Sequence, residues 1–316
     1  MESIILSILP VAIIVGIGSL AARFNYVSSS AIDGISRYVF VIALPALIFR
    51  NMANGGLPES LGSVWMILLS YFGGALAVLL LGIAIAKYVL KSGQAEQNFI
   101  AVGASHSNMV LLGVPAVLMI LGTNLVAPLM LVVGLHGILM AVLLTVVVRI
   151  RAGKAGEAPL AAWQAALGQA KNPVFIALAL GLLYDLAGDM VDAPRLPELV
   201  NSILRTLSSA LYPCSLFALG GMMVRYKLGG QMKEAGAVVA LKLAVHPLIV
   251  WVLAKPVLGL QASWVWVAVM LALMPVGFNM HNLASRSKTA AGMADSAILL
   301  STVLSLLAVA VMLYVK

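Results

Sequence analysis

Residues His106–Gly122 read HSNMVLLGVPAVLMILG. The stretch lies inside an apolar run, yet it opens on His-Ser-Asn and carries Gly113 and Pro115 in its middle. Proline removes a backbone donor and clashes with the preceding turn, which frees carbonyl and amide groups. Lipid cannot satisfy those groups, so such a break is tolerated only where it faces protein or a wet cavity. The stretch therefore predicts an interrupted membrane span whose freed amides and side chains receive something polar.

The surrounding composition agrees that the solvent is lipid. Of 316 residues, 62% are hydrophobic and 9% charged, with a mean hydropathy of +1.08. A soluble domain carries about 25% charged residues, and a core of this length cannot hide so much apolar surface from water. The net charge of +8 comes from cations scattered singly at the ends of apolar runs, which argues against a nucleic-acid partner. The single cysteine, Cys214, sits in an apolar segment and permits neither a disulfide framework nor a CxxC metal site. No metal and no cofactor are expected. The opening MESIILSILP has Glu2 as its early charge and lacks the positive region of a secretory signal, so it reads as a retained first span.

Ten apolar segments of spanning length follow: 3–22, 31–52, 61–88, 97–122, 124–149, 173–189, 196–224, 234–258, 262–285 and 293–315. The polar stretch 150–172 carries Leu160, Trp163 and Leu167 and suits an interfacial helix and a plain linker equally well. With the N-terminus outside, thirteen lysines and arginines fall on one side of the membrane and four on the other, with Arg205 and Lys242 inside segments. The positive-inside rule then places both termini on the periplasmic or extracellular side and the 150–172 loop in the cytoplasm.

A repeat is visible between segments two and seven. Residues 37–49 read RYVFVIALPALIF and residues 205–217 read RTLSSALYPCSLF; Arg37 and Arg205, Pro45 and Pro213, and Phe49 and Phe217 each lie 168 residues apart. The same shift, within a residue or so, lays segment four on segment nine, which reads LALMPVGFNMHNLASRS over residues 271–287. Both hold a proline, a glycine and amide side chains at mid-membrane. Five spans per half is odd, so the second half enters the membrane inverted. The expected organisation is a first five-helix repeat at 1–150, a cytoplasmic loop at 151–172 and a second, inverted repeat at 173–316. Spans four and nine are expected to be broken and to cross.

At these residues the chain resembles the auxin efflux carrier family, including its bacterial branch of malate and malonate carriers. The resemblance covers the whole chain and is carried by the SxxxxxxxGxP pattern of Ser105, Gly113 and Pro115, by Asn108, and by the paired breaks. It implies an all-α integral membrane fold, a scaffold of helices 1, 2, 6 and 7, and a mobile part of helices 3–5 and 8–10. It also implies a homodimer through helices 2 and 7 and elevator-type alternating access. The long cytoplasmic loop of plant members is missing, which fits a prokaryotic carrier in the plasma membrane (bacterial inner membrane), and segment three holds no acidic residue. The fold is also similar to that of the sodium/bile-acid symporters, but nearly all of the eleven acidic residues lie at segment ends, which argues against a carboxylate-rich sodium cage.

The expected substrate site comprises Asn108, Gly113 and Pro115 from one break and Pro275, Gly277, Asn279 and Asn282 from the other. Half-helix N-termini there present amides and positive dipole ends, which favour an anion, and the asparagines add neutral donors for a carboxylate. The competing reading of each break alone is a packing kink or an interhelical amide. Ser105, His106 and His281 flank the breaks and are candidates for site lining or proton coupling, as intramembrane ionisable groups are by default. His136 and His246 fit structural roles better, His246 as a bonded partner beside Pro247. Lys242 lies ~12 Å into its segment at helical rise; it suits charge compensation or proton coupling at the site, or snorkelling to the inner surface, with the snorkel the simpler reading.

The expected function is secondary transport of a small organic anion, a mono- or dicarboxylate such as malate, malonate or an auxin-like acid, with protons as the candidate coupling ion. A sodium-coupled organic-anion symporter and an anion channel are the alternatives. No HExxH, GxSxG or acid pair appears in the segments, so nothing supplies a nucleophile with its base and an enzyme is not expected.

Overall fold

The computed structural model describes residues 2–56, 60–190, 196–229, 231–278 and 288–315. Among these the chain is helical, and the one piece of β pairing is an isolated antiparallel bridge between Ser107 and Val276. The helices are α1 (Glu2–Arg23), α2 (Ser29–Met52), α3 (Leu61–Ala84, running on through Ile85–Val89), α4 (Gln94–Ser105), α5 (Met109–Ile120) and α6 (Val126–Arg151). Next come α7 (Ala158–Ala170), α8 (Pro173–Met190), α9 (Glu198–Ser209), α10 (Leu211–Met223), α11 (Met232–Val257), α12 (Ala262–Ala272) and α13 (Lys288–Val315).

Among the described residues, six helices are individually long and apolar enough to cross a bilayer. A seventh span is counted only if α7 and α8 are taken together, and these bend by 78° at their junction. The sequence led to an expectation of ten single segments. The difference arises where segments are interrupted: segment four divides into α4 and α5, segment seven divides at Ala210 into α9 and α10, and α12 ends at Ala272. Asn279, His281 and Asn282 lie outside the described residues.

Local sequence explains several boundaries. Ser28 caps α2 by accepting from the amide of Ala31, and Ser60 caps α3 by accepting from Ser63. Asn172 caps α8, its Oδ1 accepting from Val174 N at 3.0 Å. Three helices contain a π turn that ends two residues before a proline: Val39–Ala43 before Pro45, Met109–Gly113 before Pro115, and Leu241–Val245 before Pro247. The missing proline N–H leaves the carbonyl four residues earlier without its partner, and the ring pushes that carbonyl aside; a widened turn relieves both. The polar stretch after α6 is mostly helix α7, with Leu160, Trp163 and Leu167 all exposed.

Two interhelical approaches organise the packing. Helix α1 runs against α10, where Ser19 Oγ donates to Gly220 O at 2.8 Å and a Cβ on Gly220 would collide with the Val15 carbonyl. Helix α8 runs against the second half of α2, where Gly181 faces Met52 Cβ and the Phe49 carbonyl. Small residues allow this backbone approach, as is usual where lipid supplies no hydrophobic drive. Separately, α3 packs on α4 and α11, and α11 packs on α12 and α13. The apolar interior forms two clusters. The larger joins α1, α2, α5, α6, α10 and α12 with part of α3; the smaller is built around Phe99, Ile100, Val238, Met293 and Ile298.

Candidate functional site

The site begins at the interruption between α4 and α5. Helix α4 stops at Ser105, whose hydroxyl turns back to Val102 O at 3.2 Å. His106–Asn108 then runs extended past Pro275–Gly277, the segment that follows α12. Asn108 N donates to Pro275 O at 2.8 Å, and Gly277 N donates to His106 O at 3.2 Å. Each interrupted segment thus satisfies backbone groups of the other. Val276 N is held by Ser301 Oγ of α13 at 3.1 Å.

Asn108 caps the helix that resumes after the break. Its Oδ1 accepts from Leu111 N at 3.3 Å, so its Nδ2 points elsewhere, and that nitrogen is buried without a hydrogen-bond partner. A buried amide donor left unpaired is costly, which makes it informative. Asn108, His106, Ser107, His136 and Gly277 form part of the wall of a cavity of about 410 Å³ that extends to Ser36 of α2 and to Gln169 and Asn172 at the junction of α7 and α8. This lies within the usual size range of small-ligand pockets, roughly 300–1,000 Å³.

The sequence-derived candidates separate in space. Asn108, His106 and Gly277 line the cavity. Gly113 is packed against Leu271 and Met274, with Leu271 Cδ2 at 3.2 Å from the place of a Cβ, so its small size serves the contact between α5 and α12. Gly277 faces the His106 ring, whose Cδ2 lies 3.0 Å from such a Cβ. Pro115 is buried within α5, and Pro275 contributes its carbonyl to Asn108.

Lys242 departs from the snorkelling expectation. It is fully buried, and its Nζ reaches Ser107 Oγ at 2.5 Å and His246 Nδ1 at 2.9 Å. A polar anchor inside the protein replaces the route to the surface. Tyr71 of α3, also fully buried, donates to the same Ser107 hydroxyl at 3.0 Å. His246 is therefore a bonded partner, but of Lys242. His136 differs from its structural expectation: neither ring nitrogen is bonded, and its ring centroid lies 4.8 Å from that of His106.

Ser107 and Tyr71 were not among the sequence-derived candidates. A signal existed for the network, because Lys242 and His246 are four residues apart on one face of an apolar helix. Nothing in the local sequence marks Tyr71 within its long apolar run. Outside the spans, Tyr226 stacks on Phe278 at 5.5 Å; burial, with Asp295 adding in the same direction, pushes its phenol up to about 12.

Comparison with known proteins gives the same direction. A family described as "Membrane transport protein" matches residues 3–313. The chain is also 25% identical over 308 residues to a protein of Rhizobium meliloti (strain 1021) named "Putative malonate transporter", covering 97% of this chain and 94% of that one. With the interrupted, paired segments and the apolar helices in view, the chain belongs to this membrane transport family, the auxin efflux carriers that its sequence resembles.

Proposed function

We propose that the protein is a secondary carrier of a small organic anion, with a carboxylate bound in the cavity at the crossing and alternating access around it. The observation that carries this reading is the buried, unpaired Nδ2 of Asn108, a residue of the cavity wall whose Oδ1 is committed to the cap of α5. A carboxylate supplies the missing acceptor. The relative named "Putative malonate transporter" makes a short dicarboxylate the first substrate to try.

The ten-span, inverted-repeat organisation belongs to the same reading. It divides the chain at 1–150 and 173–316 around the 151–172 segment. Gly220 lies 168 residues after Met52, the spacing of Pro45 and Pro213. Gly220 packs on α1 as Met52 packs on Gly181 of α8, so the two approaches correspond between the halves. Helices α1, α2, α8, α9 and α10 form the scaffold, and α3–α6 with α11–α13 form the moving part. Asn279 and Asn282 would complete the carboxylate grip. The cavity's route past Ser36, Gln169 and Asn172 suits an inward-open state, given the cytoplasmic side on which the positive-inside rule puts these residues. Exposed Val41 and Ile42 on α2, and Leu199 and Ile203 on α9, suit a homodimer through these elements.

The test is counterflow in proteoliposomes of the purified protein in a bacterial-type lipid mixture. Vesicles preloaded with unlabelled malonate should accumulate external labelled malonate, and the exchange should saturate. Non-saturating flux without exchange would indicate a channel, and absence of flux with malonate, malate and monocarboxylates would end the carrier reading.

A further inference from the structure

Lys242 sits in the π turn Leu241–Val245 of α11 and is fully shielded from solvent. Among the described residues no carboxylate lies within ion-pair distance of it. An ammonium buried without a counter-charge costs several kcal/mol. Its neighbours are neutral groups: Ser107 Oγ at 2.5 Å and His246 Nδ1 at 2.9 Å.

Hydrogen-bond accounting gives this network a direction. An ammonium only donates, and a serine oxygen has two acceptor lone pairs and one hydrogen. Lys242 and Tyr71 both donate to Ser107 Oγ. Both lone pairs are then occupied, and the Ser107 hydrogen is left to be given to an acceptor. Ser107 lines the cavity beside Asn108, whose Nδ2 is the other donor without an acceptor. Two donors thus sit on adjacent residues of the cavity wall, and a protonated Lys242 would place a positive charge directly behind one of them.

We propose that Lys242 is the fixed counter-charge of the carried anion and acts through Ser107. The ammonium polarises the Ser107 hydroxyl, which together with the Asn108 amide holds one carboxylate, and the carboxylate compensates the buried ammonium. Lys242 does not line the cavity, so it is a positioning residue; Tyr71 and His246 hold it and Ser107 in register. No bond is made or broken. The inference rests on the carrier reading and specifies its ligand as an anion whose affinity depends on a charge behind the cavity wall.

The titratable groups around Lys242 are Tyr71 of α3 and His246 of its own helix, with His106 and His136 beside one another at the cavity wall. Helices α4 and α13 also pack on this turn. They carry Glu96 in the first turn of α4 and Asp295, which acts on Tyr226.

Malonate affinity of the detergent-purified full chain would be measured calorimetrically between about pH 7.5 and 9.5, a window between the ordinary ranges of histidine and tyrosine. Wild type, K242M, S107A and the double variant would be compared. Losing the Lys242 proton removes the counter-charge, so wild-type affinity should fall as pH rises. K242M and S107A should each bind about tenfold more weakly or worse, with a flat profile. The double variant should be no worse than either, because the charge acts through the hydroxyl. Wild-type affinity and pH profile in K242M, or additive losses in the double variant, would overturn the proposal. If K242M does not fold, S107A decides alone: retained affinity and slope sink it. In either case a wild type that binds malonate keeps the carrier reading intact, whereas a wild type that binds no carboxylate ends both.

Discussion

Asn108 donates its backbone N–H to the carbonyl of Pro275 across 2.8 Å, joining two segments 167 residues apart in sequence. Both are proline- and glycine-bearing interruptions, and each leaves backbone groups that lipid cannot serve. With Gly277 N returning a bond to His106 O, the two interruptions satisfy each other. The bond also places the Asn108 side chain at the head of α5, with its oxygen committed to the helix and its nitrogen buried without a partner.

That division of labour within one side chain separates structure from binding. Asn108→Asp keeps an oxygen for the cap on Leu111 but replaces the free donor by an acceptor and adds negative charge. Malonate counterflow should fall at least about tenfold, while the melting temperature of the purified protein stays near wild type. Asn108→Ala should lose the flux and also about 1 kcal/mol of stability from the missing cap. An aspartate variant that transports normally would remove Asn108 from the site.

Gly277 is a steric prediction at the same place. A Cβ there would stand 3.0 Å from His106 Cδ2, so the ring must give by a few tenths of an ångström. Gly277→Ala should weaken malonate binding several-fold with a stability cost on the order of 1 kcal/mol, and Gly277→Val should do markedly more. Thermal-shift titration with malonate reads both effects. Equal binding by all three proteins would show that the His106 position does not matter to the ligand.

The α1 to α10 approach predicts a pure stability effect. A Cβ on Gly220 collides with the Val15 carbonyl, a backbone atom that cannot swing aside. Gly220→Ala should destabilise by about 1–3 kcal/mol, seen as a lowered melting temperature in detergent. Gly34 has nothing within 4 Å of the corresponding position and lies within α2. Gly34→Ala should be neutral or stabilising by up to ~1 kcal/mol through helix propensity.

Ala141 of α6 lines the cavity and reports on its opening. In a Cys214→Ser background, Ala141→Cys should react with a membrane-impermeant thiol reagent applied from the cytoplasmic side of oriented vesicles. Reaction from the outer side should be slower, and malonate should protect. Faster labelling from outside would reverse the sidedness argued from the cation distribution.

Much of this molecule is legible in its sequence. Hydropathy alone requires lipid as the solvent, and proline with glycine inside an apolar run requires an interruption facing something polar. Asn108 and Gly277 follow from that reasoning, because a broken span has few other side chains able to donate or to make room. The number of spans is less legible than the number of apolar segments, since hydropathy does not register the breaks at His106–Asn108 and Ala210. The sequence also says that Lys242 and His246 share a helix face, but not which way the face turns. Only the tertiary structure decides that Lys242 is enclosed and not at the surface, because enclosure depends on where α3 and the crossing segment bring Tyr71 and Ser107. Periodicity within a helix fixes neighbours along one chain; the partners of a buried charge come from other helices, and their positions are set by packing.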